Sequence, residues 1–208
     1  MSFALRETNP DIDEAIQQAL DPTNVRETGA TRKIIFAAAG NNKGGNTRPS
    51  WPASRNGVIA IHATDGLGTP VNINPSSTGG DCFATLGSNI PYTVYEENKD
   101  GDDDDKEIYI SGTSFATPVA AGIAANVLEY ARRHIHDLNE DRKKELYSGP
   151  CMKRIFRAMS QKRGDYHYVQ PWTFWEERIR GGWWGGNEYP QGHYGNVSLA
   201  LKHIIFGT

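Results

Sequence analysis

Cysteine, charge of one sign and long apolar runs are all scarce in this sequence, and each shortage excludes a class of protein. Two cysteines in 208 residues, Cys82 and Cys151, cannot build a disulfide framework. They also lack the Cys-x-x-Cys spacing that zinc or dithiol chemistry uses, so both are expected as free thiols. A net charge of −3 gives no general attraction to nucleic acid or anionic lipid. No apolar stretch approaches the roughly 18 residues of a membrane span, because the most apolar segment is stopped by Glu129. Neither a nucleic-acid nor a membrane partner is expected. Met1 is followed by Ser2-Phe3-Ala4-Leu5-Arg6-Glu7, not by a basic start and an apolar core, so no secretory signal is visible and the default location is cytoplasmic.

What remains is ordinary for a globular chain: 38% hydrophobic and 23% charged, long enough for one domain with a core. Asn9 or Asp11 can cap a helix whose apolar stripe is Ile12, Ala15, Ile16, Ala19 and Leu20. The polar stretch Asp21 to Thr31, with Pro22 and Gly29, reads as a loop. Lys33 to Ala39 is a continuous apolar segment, the pattern of a strand buried on both faces of a parallel sheet. It stops at Gly40-Asn41-Asn42. Val58 to Ala63 is a second strand. Further on, the β-branched run Ile108-Tyr109-Ile110 turns through Gly112 into a segment that is apolar on every side as far as Leu128, the mark of a buried helix. Pro118 is expected in its first turn, where a missing N–H costs little.

Ser114 sits at the mouth of that helix, where free N–H groups and the positive dipole end favour negative charge. A serine so placed is either a helix cap or a nucleophile. The surrounding Gly112-Thr113-Ser114-Phe115-Ala116-Thr117-Pro118 closely resembles the nucleophile segment of the subtilisin-like serine proteases, the subtilases of peptidase family S8. It is not the Gly-x-Ser-x-Gly elbow of α/β-hydrolases, whose second glycine is absent. The resemblance implies Ser114 as nucleophile, with its backbone N–H helping to hold the oxyanion.

Other stretches resemble the same family in the same order. Ile34 to Asn41 is similar to the segment that ends in the oxyanion-hole asparagine. Gly40 lets a substrate backbone approach, and Asn41 at the carboxyl end of a strand can aim its amide at a developing oxyanion. In subtilisin, loss of that donor costs about 10²–10³ in kcat. Trp51-Pro52-Ala53 resembles a family segment that often carries a cis proline, so a cis Trp51–Pro52 bond is expected. Cys82 to Gly87 resembles the next family strand more loosely. Met1-Ser2-Phe3-Ala4 resembles the strand that lines the pocket for the residue before the scissile bond. Gly195 to Leu201 faintly resembles the closing turn and helix.

The implied fold is α/β, a doubly wound and mostly parallel subtilisin-like sheet that is incomplete at its N-terminus. Residues 1–135 correspond to the second half of a catalytic domain, and residues 136–208 supply closing helices and a Gly- and aromatic-rich tail of the same domain. In that tail Met152, Ile155, Phe156 and Met159 stand at helical spacing, and Trp172, Trp175, Trp183 and Trp184 belong to a segment expected to fold back on the body. The implied substrate is a polypeptide, docked as an extended strand beside Ser2, Phe3 and Ala4 and beside Ala38, Ala39 and Gly40.

Glu96 to Glu107 places oxygen-bearing side chains at loop positions 1, 3, 5, 7, 9 and 12 with Gly101 at position 6, the spacing of a calcium loop. Glu96 stands where Asp is usual and no amphipathic helix precedes it, so a solvated acidic loop is the simpler reading, with calcium the alternative. No other cofactor or metal is expected.

The family's acid and base are missing. A subtilisin-type triad runs Asp, His, Ser along the chain, and only His62 precedes Ser114, inside an apolar strand with no His-Gly-Thr around it. It is read as a structural histidine. No Asp-x-Gly segment lies upstream. The expectation is therefore a subtilisin-like endopeptidase domain that begins in mid-fold, inert alone, whose partner is the complementary half or another protein. The competing reading is a pseudoprotease that binds peptide or protein without cutting it.

Overall fold

The computed structural model describes residues 1–5, 7–21, 33–41, 48–76, 80–97, 103–174 and 193–206. Most of the expected Asp21–Thr31 loop lies outside them, as do Trp175, Trp183 and Trp184.

Helix α1, Pro10–Leu20, starts where capping chemistry is strongest: Asn9 Oδ1 accepts the Ile12 N–H at 3.1 Å, proline opens the first turn, and Asp11 and Asp13 face the dipole. Strand β1, Ile35–Ala38, pairs in parallel with β2, Val58–Thr64, from Ile35↔Val58 to Ala38↔Ile61. Strand β2 pairs in parallel with β3, Phe83–Leu86. The chain then leaves the sheet as an antiparallel hairpin, β4, Ile90–Glu97, against β5, Asp103–Ile110. Helix α2, Thr113–His134, follows, then α3, Glu140–Leu146, and α4, Gly149–Ala158. A second hairpin, β6, Ser160–Arg163, with β7, Tyr166–Val169, returns to the sheet. There β7 lies parallel to β3, which gives the order β1-β2-β3-β7-β6. A 3₁₀ turn at Pro171–Phe174 and helix α5, His193–Phe206, complete the described chain.

Both faces of β1 and β2 are covered, as their apolar runs require. On one face Phe36, Ile59, Ile61 and Phe83 meet Ala116, Ala120 and Val127 of α2 together with Met152, Ile155 and Phe156 of α4. The Phe156 ring stacks on Phe36 at 5.5 Å and meets Phe83 edge-on at 5.6 Å. On the other face Ala37, Trp51, Ala53 and Val58 pack on Ile16 of α1. The architecture is the expected α/β arrangement of a mostly parallel sheet with helices on both sides, and the Trp51–Pro52 bond is cis. Cys82 and Cys151 are buried, and neither forms a disulfide.

Three expectations need correction. Helix α2 is not buried all round: Phe115, Pro118, Val119, Ala121, Gly122 and Ala125 are exposed, because only one of its faces meets the sheet. Pro118 stands a turn deeper in that helix than expected, where it removes the bond to the Ser114 carbonyl. The acidic stretch is not one loop. Glu96 and Glu97 end β4, Asp103 to Glu107 run along β5 with Glu96↔Asp104 in register, and residues 98–102 lie outside the described residues.

Candidate functional site

The site forms where the carboxyl ends of β1 and β3 meet the amino end of α2. At the end of β1 the chain turns at Gly40, whose φ of 107° belongs to the region glycine adopts readily. The next residue is Asn41. At the end of β3, Gly87 accepts the Gly112 N–H at 2.8 Å and so brings the start of α2 over the sheet. A side chain at Gly87 would meet the methyl groups of Ala63 and Ala116 and the Gly112 carbonyl, all at 2.9 Å. The first turn is tied down by Thr85 Oγ1, which donates to the Ala116 carbonyl at 2.7 Å, and by Thr117 Oγ1, which donates to the Thr113 carbonyl at 2.8 Å.

Thr113 links the two ends. Its N–H and its hydroxyl both donate to Asn41 Oδ1, at 2.9 and 3.1 Å, and the same hydroxyl accepts the Gly40 N–H at 3.1 Å. With its oxygen held, the Asn41 carboxamide must turn its NH₂ the other way. A Cβ on Gly112 would lie 3.1 Å from Asn41 Nδ2, so the amide lies against the residue that leads into Thr113 and Ser114. Ser114 is half-buried and, among the described residues, neither its Oγ nor its N–H has a hydrogen-bond partner. The first turn of α2 holds no acid, whereas Arg132, Arg133 and His134 lie in its last turn, so the positive dipole end at Ser114 is unneutralised. A free hydroxyl, a free backbone N–H and an oriented carboxamide thus share one helix mouth, an arrangement that can serve a nucleophile with two oxyanion donors beside it.

Of the residues expected to bind substrate, Ser2, Phe3 and Ala4 are exposed, and among the described residues their backbones make no hydrogen bond. Their position is set on either side: the Met1 amine donates to the Phe36 carbonyl at 2.6 Å, Ala38 N–H donates to Met1 at 3.0 Å, and Leu5 N–H donates to Trp51 at 2.8 Å. Ala38, Ala39 and Gly40 are buried. Their polar groups are partly used within the chain, Ala39 donating to Ile61 and accepting from Ser50.

His62 lies on the other side of the sheet. Its neighbours Ile61 and Ala63 face α2, so alternation turns His62 toward the opposite face, where its ring meets Tyr166 edge-on at 5.1 Å. Nδ1 lies 3.2 Å from the Phe83 carbonyl, Nε2 has no hydrogen-bond partner among the described residues, and burial lowers the pKa to about 4. It is a neutral core histidine. Among the described residues no histidine or carboxylate hydrogen-bonds Ser114, and no cluster of three His, Cys, Asp or Glu side chains could hold a metal ion.

Sequence reasoning missed Thr113 as the clamp on Asn41 and Gly87 as the seat of α2. Both roles rest on contacts between segments far apart in the chain, and no local pattern marks them.

The profile of the subtilase family, peptidase family S8, matches residues 1–148. A halolysin-like extracellular serine protease of Natrialba magadii is 32% identical over 119 residues, 52% of this chain and 19% of the relative. The subtilisin-like protease het-Q2 of Podospora anserina is 28% identical over 152 residues, 68% of this chain and 40% of the relative. Thermitase of Thermoactinomyces vulgaris is 34% identical over 107 residues, 48% of this chain and 32% of the relative. The chain thus spans well under half the length of these curated relatives. Among solved structures, the prenylagaramide maturation protease PagA aligns with 99% of this chain, which covers 60% of it, at a TM-score of 0.53 and 18% identity. The self-cleaved protease domain of PatA aligns with 96% of this chain and is 58% covered, at a TM-score of 0.51 and 20% identity.

Proposed function

The chain belongs to the subtilase family of serine proteases, and from that premise we propose that it supplies the nucleophile and the oxyanion donors of a serine endopeptidase site, the acid and base coming from polypeptide beyond these 208 residues. One observation carries the proposal: Thr113 holds the Asn41 carboxamide by its oxygen, with Nδ2 beside Gly112, two residues before the free Ser114.

In this mechanism a peptide lies extended along Ser2–Ala4 and reaches Ala38–Gly40. Ser114 Oγ bonds to the scissile carbonyl carbon as its proton passes to the supplied base. The carbonyl oxygen takes the negative charge and receives hydrogen bonds from Asn41 Nδ2 and the Ser114 N–H. The C–N bond then breaks, the amine takes the proton, and water hydrolyses the ester left on Ser114. Loss of the triad histidine alone costs subtilisin about 2 × 10⁶ in kcat, so this chain by itself is nearly inert.

The test is a fluorophosphonate probe. No labelling is expected from the chain alone, and labelling of Ser114 is expected once the acid and base are supplied. Labelling that persists in Ser114→Ala would remove Ser114 from its role. Rapid labelling of the isolated chain would overturn the dependence on a second polypeptide.

A second reading has support in the turned-away His62 and the unpaired edge at Ser2–Ala4: a pseudoprotease that binds an extended peptide without cutting it. A monomeric chain with a sharp melting transition, peptide affinity and no labelling under any condition would favour that reading.

A further inference from the structure

We infer that Asn74 is a positioning residue for the oxyanion donor Asn41: its carboxamide takes the place of β1 on Ala63 and so lets β1 leave the sheet at Gly40. The catalytic weight of this role rests on Asn41 and Ser114 acting as proposed above.

The register of the sheet shows what Asn74 replaces. In a parallel pair the bonds are evenly spaced, every second residue of a strand offering its N–H and C=O to one neighbour. Ala38 lies opposite Ile61, and the Ala39 N–H donates to the Ile61 carbonyl at 2.9 Å. The next two bonds of that series would run from the Ala63 N–H to the Ala39 carbonyl and from the Asn41 N–H to the Ala63 carbonyl. Instead the Ala63 N–H donates to Asn74 Oδ1 at 2.8 Å, and Asn74 Nδ2 donates to the Ala63 carbonyl at 2.8 Å. The Ala39 carbonyl accepts the Ser50 N–H, also at 2.8 Å. One side chain thus fills both places that β1 would have filled.

The chemistry suits a carboxamide. Ala63 is buried, so its N–H and C=O must both be paired, and a carboxamide supplies one acceptor and one donor in a single plane. Asn74 is itself buried, and the segment that carries it is pinned at several points. Asp65 Oδ1 accepts the N–H groups of Leu67 and Thr69, the Val71 N–H also donates to the Ala63 carbonyl at 3.2 Å, and the Tyr166 hydroxyl donates to the Pro75 carbonyl at 2.9 Å.

The consequence falls on the candidate site. Released from the ladder after Ala39, the chain turns at Gly40, whose N–H goes to Thr113 Oγ1, and Asn41 gives its Oδ1 to Thr113. A β1 that ran on beside β2 would tie the Asn41 backbone to Ala63. The two arrangements compete for the same atoms of residues 39–41, and Asn74 decides between them from the sheet while Thr113 holds the result from the helix.

The test is NMR of the ¹⁵N-labelled 208-residue chain, read at the Asn41 side-chain amide, the signal that disappears in Asn41→Ala. Thr113→Val loosens the grip on Asn41 directly and gives the reference displacement of that signal. In Asn74→Leu the Ala63 groups re-pair with β1, so the Asn41 signal should move in the same direction. The Ser50 amide should exchange about tenfold faster while the Ala63 amide keeps its protection. An Asn41 signal left in place by Asn74→Leu overturns the positioning role, whatever the change in stability. Lost protection at Ala63 with Ser50 unchanged is the pattern of a merely structural bond and also overturns it. If Asn74→Leu does not fold, Asn74→Asp is read in the same way, since it keeps the volume and the acceptor but sets an oxygen against the Ala63 carbonyl. Failure of both to fold would make Asn74 a residue of the fold alone and overturn the proposal.

With the acid and base supplied, Asn74→Leu should lower kcat about tenfold with KM little changed. Fluorophosphonate labelling separates the two ideas. An Asn41 signal that follows Asn74 in a protein that never labels keeps the positioning and removes the catalytic reading. Labelling of Ser114 with an Asn41 signal indifferent to Asn74 does the reverse.

Discussion

Thr113 grips Asn41 by a single atom: the carboxamide oxygen takes both the Thr113 N–H and the Thr113 hydroxyl, at 2.9 and 3.1 Å. The amide's direction is thereby set from the helix that carries the neighbouring serine. Thr113→Val keeps the shape but removes one donor to Asn41 and orphans the buried Gly40 N–H, a loss of about 1–3 kcal/mol. Urea denaturation should show that loss, and Thr113→Ser should restore it. In an assembled enzyme, Asn41→Ala should lower kcat by about 10²–10³, with KM little changed. Thr113→Val should give a smaller loss of the same kind.

Gly87 predicts a packing failure that reaches the site. An added methyl group would sit 2.9 Å from Ala63, Ala116 and the Gly112 carbonyl, and none of these is the end of a flexible side chain. Gly87→Ala should cost about 1–3 kcal/mol and lift the start of α2. The expected readout is a lower Tm together with faster amide exchange at residues 112–116. An unchanged exchange pattern would mean that the strain is absorbed elsewhere.

His62 predicts an acid-labile core. Its folded pKa is pushed down to about 4 by burial, against 6.5 when free. Between those values the unfolded chain holds the proton and the folded chain does not, so stability is complete above about pH 6.5 and falls as pH drops toward 4. The full effect is about 3 kcal/mol. Urea midpoints measured from pH 7 to pH 4 should fall in the wild type and flatten in His62→Leu.

Calcium should leave the melting temperature unchanged. Glu96 and Glu97 end one strand of an antiparallel ladder and Asp103 to Glu107 lie on the other, so the ends of the calcium-like spacing belong to two extended strands and no helices flank it. A rise in Tm with millimolar calcium that magnesium does not reproduce would count against this expectation.

The parts of the fold legible in sequence were those with one dominant signal. Continuous apolar runs marked β1 and β2, an Asn cap and acidic first turn marked α1, and Met152, Ile155 and Phe156 marked α4. The hairpin β4–β5 was illegible because Asp and Glu are depleted in strands, and here backbone pairing overrides that preference. Strand β6, with its exposed Gln161, Lys162 and Arg163, carries no apolar alternation at all. At the site, Ser114 and Asn41 could be named from their motifs, whereas the link between them could not. The Thr113 clamp spans two segments that only the folded sheet brings together. The half-exposed α2 was misread for a complementary reason, since composition records what a helix can bury and the described chain covers only one side.

Strand β7 pairs with β3, and the pairing has a consequence for synthesis. Phe83 and Ala84 meet His167 and Tyr168, residues made only after the entire Ser114 helix and two further helices have been synthesised. Until then β3 has one neighbour and an open edge, while β1 and β2 are free to pair. Closing so long a loop is slow compared with forming a helix, so the nascent chain passes through a stage in which the nucleophile segment exists but its sheet is incomplete. A ribosome that stalls before Tyr166 would release a chain with that edge bare, the kind of species that chaperones and proteases remove.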